Sequence, residues 1–159
     1  MVKKSAKKTW KEKLEDSKDM PKVVKIDKKL QKSWGKGTVV IPTPKEVDKL
    51  MAKVPKGKVT TINDIRSKLA KKHKATIGCP ICTGIFSNIA AKAAEEDLAA
   101  GKKKVTPYWR TLKVKGELNP KYPGGVAKQA KKLRDEKHKL IMKYKVPRVE
   151  DYEKKLAKL

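Results

Sequence analysis

Two short stretches of this 159-residue chain carry side chains capable of chemistry: Cys79-Pro-Ile-Cys82 and Pro107-Tyr-Trp-Arg110. Cysteines two residues apart at a helix start have the spacing of a dithiol redox pair or of half a zinc site, because the thiolate is both nucleophile and metal ligand. Zinc takes four ligands, and the chain's two cysteines leave only His73 and His138 to complete a set. A redox motif also expects a thioredoxin-like βαβ setting, which the surrounding pattern does not offer. The thiols are therefore read as structural, with metal or redox roles as the alternatives, and neither a metal nor a cofactor is expected. The second stretch sets two aromatic rings beside a guanidinium, shortly after the run Lys102-Lys-Lys104. Rings that stack on bases, next to cations that meet phosphates, are how proteins hold single nucleotides and strands. The alternative is that Tyr108 and Trp109 fill the core and that Arg110 pairs internally with Glu136.

Charge chooses among partners. Lys and Arg number 43 against 17 Asp and Glu, a formal net charge of +26. Such a field attracts polyanions and releases their condensed counterions on binding. A membrane surface would call for a sustained basic amphipathic helix with bulky apolar residues. The sequence has none, and no apolar run approaches the roughly 20 residues of a membrane span. Nucleic acid is the expected partner class, and no membrane role is expected. Arg occurs only at Arg66, Arg110, Arg134 and Arg148. Lysine meets phosphate as a point charge, whereas Arg is the fork that reads guanine edges, so the composition speaks for affinity more than for sequence choice. The opening Met1-Val-Lys-Lys has no apolar stretch behind its charges and is not a secretory signal. The expected location is cytoplasmic, nucleoid-associated if the source is bacterial.

The elements that must position these residues follow from periodicity and punctuation. Residues 1–38 read as a basic N-terminal extension, a partly ordered arm anchored at Trp10, Leu14, Val23, Val24, Ile26, Leu30 and Trp34. A helix is expected from Pro44, with Thr43 as N-cap and Val47, Leu50, Met51 and Val54 recurring on one face. A second follows Thr60-Thr61, with Ile62, Ile65 and Leu69 as its stripe, and ends in Lys71-Lys-His73-Lys. After a turn through Gly78, Pro80 opens a third that carries Ile81, Ile85, Ile89, Ala93 and Leu98 and stops at Gly101. Two helices across a short turn, the later one rich in Ala, read as a helix-turn-helix. An extended segment through Tyr108, a fourth helix through Val126, Ala130 and Leu133, and a short strand at Leu140-Ile-Met142 follow. Residues 146–159 are expected to form a charged C-terminal helix. The fold class is mainly α with a few short strands, akin to a winged helix.

The order of these motifs resembles the alkylguanine-DNA alkyltransferase family over roughly residues 39–143. Val54-Pro-Lys-Gly-Lys-Val-Thr-Thr is similar to that family's proline-glycine turn and helix start. Pro107-Tyr-Trp-Arg110 resembles its Pro-Cys-His-Arg active-site segment, Tyr122-Pro-Gly-Gly125 its Tyr-x-Gly-Gly loop, and Leu133-Arg-Asp-Glu-Lys-His138 its closing helix. The resemblance implies an alkyltransferase-type domain at 39–145, a helix-turn-helix entering the minor groove of double-stranded DNA, and a pocket for a flipped 6-O-alkylguanine. In the family a cysteine, activated by a histidine that a glutamate orients, takes the alkyl group. Here Tyr108 stands at the cysteine position, Trp109 at the histidine position and Glu136 at the glutamate position. A phenol of ordinary pKa near 10 is a poor stand-in for a thiolate, and indole has no basic nitrogen. The chain further departs from the family in Ile62, where a tyrosine is usual, and in having no Arg between Arg66 and Arg110.

The expectation is a non-catalytic, alkyltransferase-like sensor of alkylated DNA. The implied base pocket comprises Pro107, Tyr108, Trp109, Arg110 and Tyr122. The implied DNA contacts are Thr60, Thr61, Lys71, Lys72, Lys74, Thr83, Ser87, Lys102, Lys103 and Lys104. Double-stranded DNA, possible excision-repair proteins and a monomeric state complete it. The rivals are an architectural DNA-binding protein without lesion recognition and an alkyl acceptor at Cys79 or Cys82.

Overall fold

A computed structural model describes residues 9–159; the first eight residues of the basic extension lie outside the described residues. Along the chain run helix α1 (Trp10–Glu15), strand β1 (Lys22–Lys25), α2 (Gln31–Trp34), β2 (Thr38–Ile41), α3 (Pro44–Ala52), β3 (Thr60–Thr61), α4 (Ile62–Lys72), β4 (Ile77–Gly78) and α5 (Pro80–Ala99). A 3-10 turn (Tyr108–Arg110) leads into β5 (Thr111–Leu112), followed by α6 (Gly125–Asp135), β6 (Leu140–Ile141) and β7 (Arg148–Val149). The architecture is mainly helical with short strands, as the sequence predicts. Among the described residues no helix is long and apolar enough to cross a membrane.

Local signals place the helices. Thr43 and Glu46 form a reciprocal capping box on α3, with Pro44 in its first turn, which satisfies two donors the helix cannot pair itself. Thr61 caps α4 by accepting from the Asp64 amide at 3.2 Å. Apolar faces then decide the packing. Val47, Met51, Ile65 and Leu69 are essentially inaccessible, each worth about 1.5–3 kcal/mol of transfer from water. They meet the Ala90, Ala91, Ala93 and Ala94 face of α5 in one core. Alanines let α1, α3 and α4 pack closely on α5. A second core gathers Val59, Leu112, Leu118, Ala130, Leu133 and Val149.

The turn between α4 and α5 carries β4, which pairs in parallel with β2. Gly78 is required there: a Cβ would lie 2.7 Å from the Arg66 carbonyl oxygen. The β3–β5 pair (Thr60 to Thr111, Thr61 to Leu112) ties the start of α4 to the Pro107–Arg110 segment.

Two expectations are corrected. From residue 9 onward the N-terminal extension is built into the fold. Thr9 and Glu12 form a capping box on α1, Glu96 of α5 accepts from the Trp10 and Lys11 amides at 3.0 Å each, and Leu14 joins the main core. Strand β1 pairs antiparallel with β2 over four residues. Its residues are exposed throughout, so it rests on ladder hydrogen bonds and has no apolar alternation to announce it. The charged C-terminal helix is absent. Residues 146–159 give β7 and a 3-10 turn at Tyr152–Lys155. Asp151 adopts a left-handed conformation (φ +55°) just before that turn, and the chain then runs extended beside Val59, whose amide donates to the Lys155 carbonyl at 2.9 Å.

Candidate nucleic-acid interface

The five residues expected to form one base pocket are divided by the structure. Tyr108 is fully buried, and its hydroxyl donates to Glu95 of α5 at 2.5 Å. Its ring meets Trp109 and Tyr122 edge-on, with centroids 5.4 and 5.3 Å away. Burial, reinforced by the Glu95 charge, pushes the Tyr108 phenol well above its usual pKa, so no phenolate is available. Burial also works against the charge of Glu95. The hydrogen bonds from Lys128 and Tyr108 outweigh it and hold this carboxyl below its usual range. Tyr122 is buried too. Its hydroxyl faces Ser87 and Asn119 without a well-formed hydrogen bond to either.

Pro107, Trp109 and Arg110 turn the other way, toward a cavity of about 700 Å³ that Lys103, Lys104 and Lys132 also line. Trp109 donates its indole N–H to Glu136 at 3.1 Å, and the Lys132 ammonium sits 4.4 Å from its ring. Arg110 is braced from two sides. Its Nε and Nη2 donate to Glu136 at 2.9 and 2.7 Å, and Nη1 donates to the Val54 carbonyl at 2.7 Å. Desolvation opposes the charge on Glu136, but Arg110 and Trp109 win and lower its pKa. The internal Arg110–Glu136 pair is thus the arrangement found. The Tyr108 hydroxyl is thus tied to a carboxylate, and the Trp109 indole beside it has no basic nitrogen.

A second cavity, of about 560 Å³, opens at the other end of α5. Its walls are the starts of α4 and α5 and the loop from Lys113 to Lys121. Ile81 and Ile85, 60% and 51% exposed, stand on its rim with Val114 at 45%. Arg66, Lys113 and Lys121 supply cations, and no carboxylate is among the described residues lining it. Arg66 is oriented by its Nε–H donating to the Gly78 carbonyl at 2.9 Å.

The expected DNA contacts scatter likewise. Ser87 lines this cleft, although its hydroxyl donates back to the Gly84 carbonyl at 2.8 Å. Thr83 is buried and donates to the Cys79 carbonyl at 2.7 Å. Thr60 and Thr61 are buried in β3. Lys71, Lys72 and Lys74 are exposed at the end of α4, with Lys72 reaching Glu46 at 3.0 Å. Lys102 reaches Asp97 at 3.4 Å, and Lys103 and Lys104 belong to the first cavity. Sequence reasoning missed Lys113, Lys121, Asn88 and Asn119. The available signal was α5 itself, whose alanine face and isoleucine face cannot both be buried by one packing surface.

The cysteines serve the helix. Cys79 is buried, and its sulfur accepts from the Cys82 amide at 3.3 Å as the N-cap of α5. The Cys82 thiol is pushed up to about 12 by burial and by its neighbour Cys79, which removes its nucleophilic form at neutral pH. His73 is engaged with Glu46 at 2.7 Å, and no group of three or more His, Cys, Asp or Glu side chains among the described residues is placed to hold a metal.

No protein-family model matches the chain, and no curated protein sequence matches it. Among solved structures it matches S. pombe Atl1, crystallised in complex with damaged DNA containing O6-carboxymethylguanine. The TM-score is 0.50 at 15% identity, over 73% of this chain and 94% of that one. At that identity the likeness is one of fold, and the fold is the one Atl1 has.

Proposed function

We propose that the chain binds double-stranded DNA through α4 and α5 without catalysis and favours DNA carrying a 6-O-alkylated guanine. The observation that carries this reading is the cleft at the start of α5: apolar walls, three flanking cations and no carboxylate, on a fold shared with a protein crystallised on damaged DNA. An alkylated base that leaves the stack is flat, less polar than guanine and tethered to phosphates. An apolar slot rimmed by Lys113, Lys121 and Arg66 suits that ligand. The displaced base sits in this cleft, with Tyr122 one layer behind it and Tyr108 deeper still. The absence of catalysis follows from the chemistry of the reactive position. A buried phenol held on Glu95, beside an indole held on Glu136, offers neither a thiolate nor an imidazole.

The architectural reading, with no lesion preference, has one observation in its favour: Tyr108 and Tyr122 pack in the core where the sequence led us to expect a pocket. A competition titration decides between them. Duplexes with and without a single 6-O-methylguanine are expected to differ at least tenfold in affinity, about 1.4 kcal/mol; equal affinities would establish the architectural role. Incubation with the methylated duplex is expected to leave the Cys79–Cys82 peptide without a methyl-mass gain, and such a gain would restore the acceptor reading.

A further inference from the structure

We infer that the cavity at the C-terminal end of α5 is a second site, separate from the duplex cleft, that takes a nucleoside phosphate. The ligand is a free nucleotide or the exposed end of a single strand, with its base on Trp109 and its phosphates on Lys103, Lys104 and Lys132. The inference goes beyond duplex binding and does not depend on it.

Three observations converge. The cavity, of about 700 Å³, has the size of a small-ligand site, and Leu98, Val105 and Pro107 wall it beside the half-buried Trp109. The Trp109 indole N–H already donates to Glu136, so what this ring offers the cavity is its π-face. The Lys132 ammonium, 4.4 Å from the ring centroid, shows that face reachable by a polar group. Lastly, the cations there exceed the carboxylates. Asp97 is the one carboxylate among the described lining residues, and Lys11 and Lys102 hold it at 3.1 and 3.4 Å. Lys103 and Lys104 from the loop after α5, and Lys132 from α6, stand outside any ion pair of the described residues.

Those parts select the ligand. Bases stack on aromatic faces whatever their sequence, and lysines meet the phosphates attached to them. A carboxylate-rich peptide would engage the lysines and leave the indole face idle. A neutral aromatic molecule would do the reverse. A nucleoside phosphate uses both, its phosphates kept from Asp97 and drawn to the three lysines. The cavity lies at the far end of α5 from the cleft proposed for the duplex, so both sites can be filled at once.

The test saturates full-length protein with a blunt unmodified duplex and titrates it with fluorescein-labelled pentadeoxyadenylate, followed by anisotropy. The strand is expected to bind free and duplex-saturated protein alike, within about twofold, and an abasic strand with the same phosphates about tenfold more weakly. Lys103→Glu/Lys104→Glu and Lys132→Glu are each expected to weaken the strand by about tenfold. Trp109→Phe and Trp109→Leu both lose the hydrogen bond to Glu136, and only Trp109→Phe keeps a ring. Trp109→Phe is expected to bind the strand as wild type does and Trp109→Leu about tenfold more weakly, a split that a structural role would not produce. Competition by dATP assigns the cavity to free nucleotides, and competition by the unlabelled strand alone assigns it to single-strand ends. Displacement of the strand by duplex, equal binding of the abasic strand, equal binding by the two Trp109 variants, or lysine variants that bind as wild type each overturn the inference. So does a pentaglutamate peptide that competes as well as the strand, which would give the cavity to an acidic protein segment. If no duplex binds, the same titrations on free protein judge the cavity alone, so the two readings fail separately.

Discussion

The two ends of α5 carry the two cavities, and they differ in how their charge is used. At the C-terminal end, near Trp109, several cations are paired with carboxylates, while Lys103, Lys104 and Lys132 also line the cavity. Lys11 and Lys102 both reach Asp97, Lys128 reaches Glu95 at 2.8 Å, and Arg110 is locked onto Glu136. At the N-terminal end, Arg66, Lys113 and Lys121 face a cleft without a carboxylate, and isoleucines stand in water. A very basic chain therefore does not wear its interface wherever lysines cluster. At the C-terminal end Tyr108 and Arg110 are internal equipment while the lysine run is exposed; the proposed duplex interface lies instead where cations flank exposed isoleucines and no carboxylate lines the cleft.

That contrast can be broken at its structural end first. Arg110 and Glu136 side chains are 13% and 8% exposed, so Arg110→Ala leaves a buried carboxylate without its cation, held by the Trp109 N–H, and is expected to cost about 3–5 kcal/mol in urea unfolding. A loss below 1 kcal/mol would show the pair to be surface decoration. Next in size, Lys113→Glu with Lys121→Glu is expected to weaken duplex binding by more than tenfold and to lower the log–log salt slope by about 2. Reversing Lys103 and Lys104 is expected to change affinity less, and a larger effect there would move the interface to the other end of α5. Tyr108→Phe removes one buried hydroxyl donor from Glu95 and is expected to cost about 1 kcal/mol of stability with duplex affinity unchanged; lost affinity would return Tyr108 to the binding site.

The smallest effect is one of pH. His138 is 4% exposed with both ring nitrogens unpartnered, and burial, with Lys155 nearby, lowers its pKa. The unfolded chain then binds the proton more readily than the folded one. This contribution is fully present above the ordinary histidine pKa of about 6.5 and is lost as pH falls through the lowered folded value. Removing the ring as His138→Leu is expected to flatten stability against pH below about 6.5; an unchanged slope would assign that loss to other groups.

The sequence made the helical frame legible because its signals are local. Thr43-Pro44 with Glu46 starts α3, Thr61 caps α4, and Pro80 and Gly101 bracket α5. What it hid depends on partners far along the chain. Strand β1 is exposed on both faces and exists only because β2 lies beside it. Tyr108 is drawn inward by Glu95 on a different element, which no spacing around residue 108 reveals. The C-terminal segment has helix-forming residues, yet its backbone bonds go to Val59. Four motifs in order pointed to the fold; assembling their residues into one pocket overreached, because neighbours in the Pro107–Arg110 turn face opposite sides of the core.

The central claim is that DNA meets the N-terminal end of α5 and its facing loop. Amide hydrogen exchange of the protein, free and saturated with duplex, tests it most directly. The account predicts slowed exchange across residues 80–88 and 113–121 with little change at 102–110. Protection confined to 102–110, with the first turns of α5 unaffected, would contradict it.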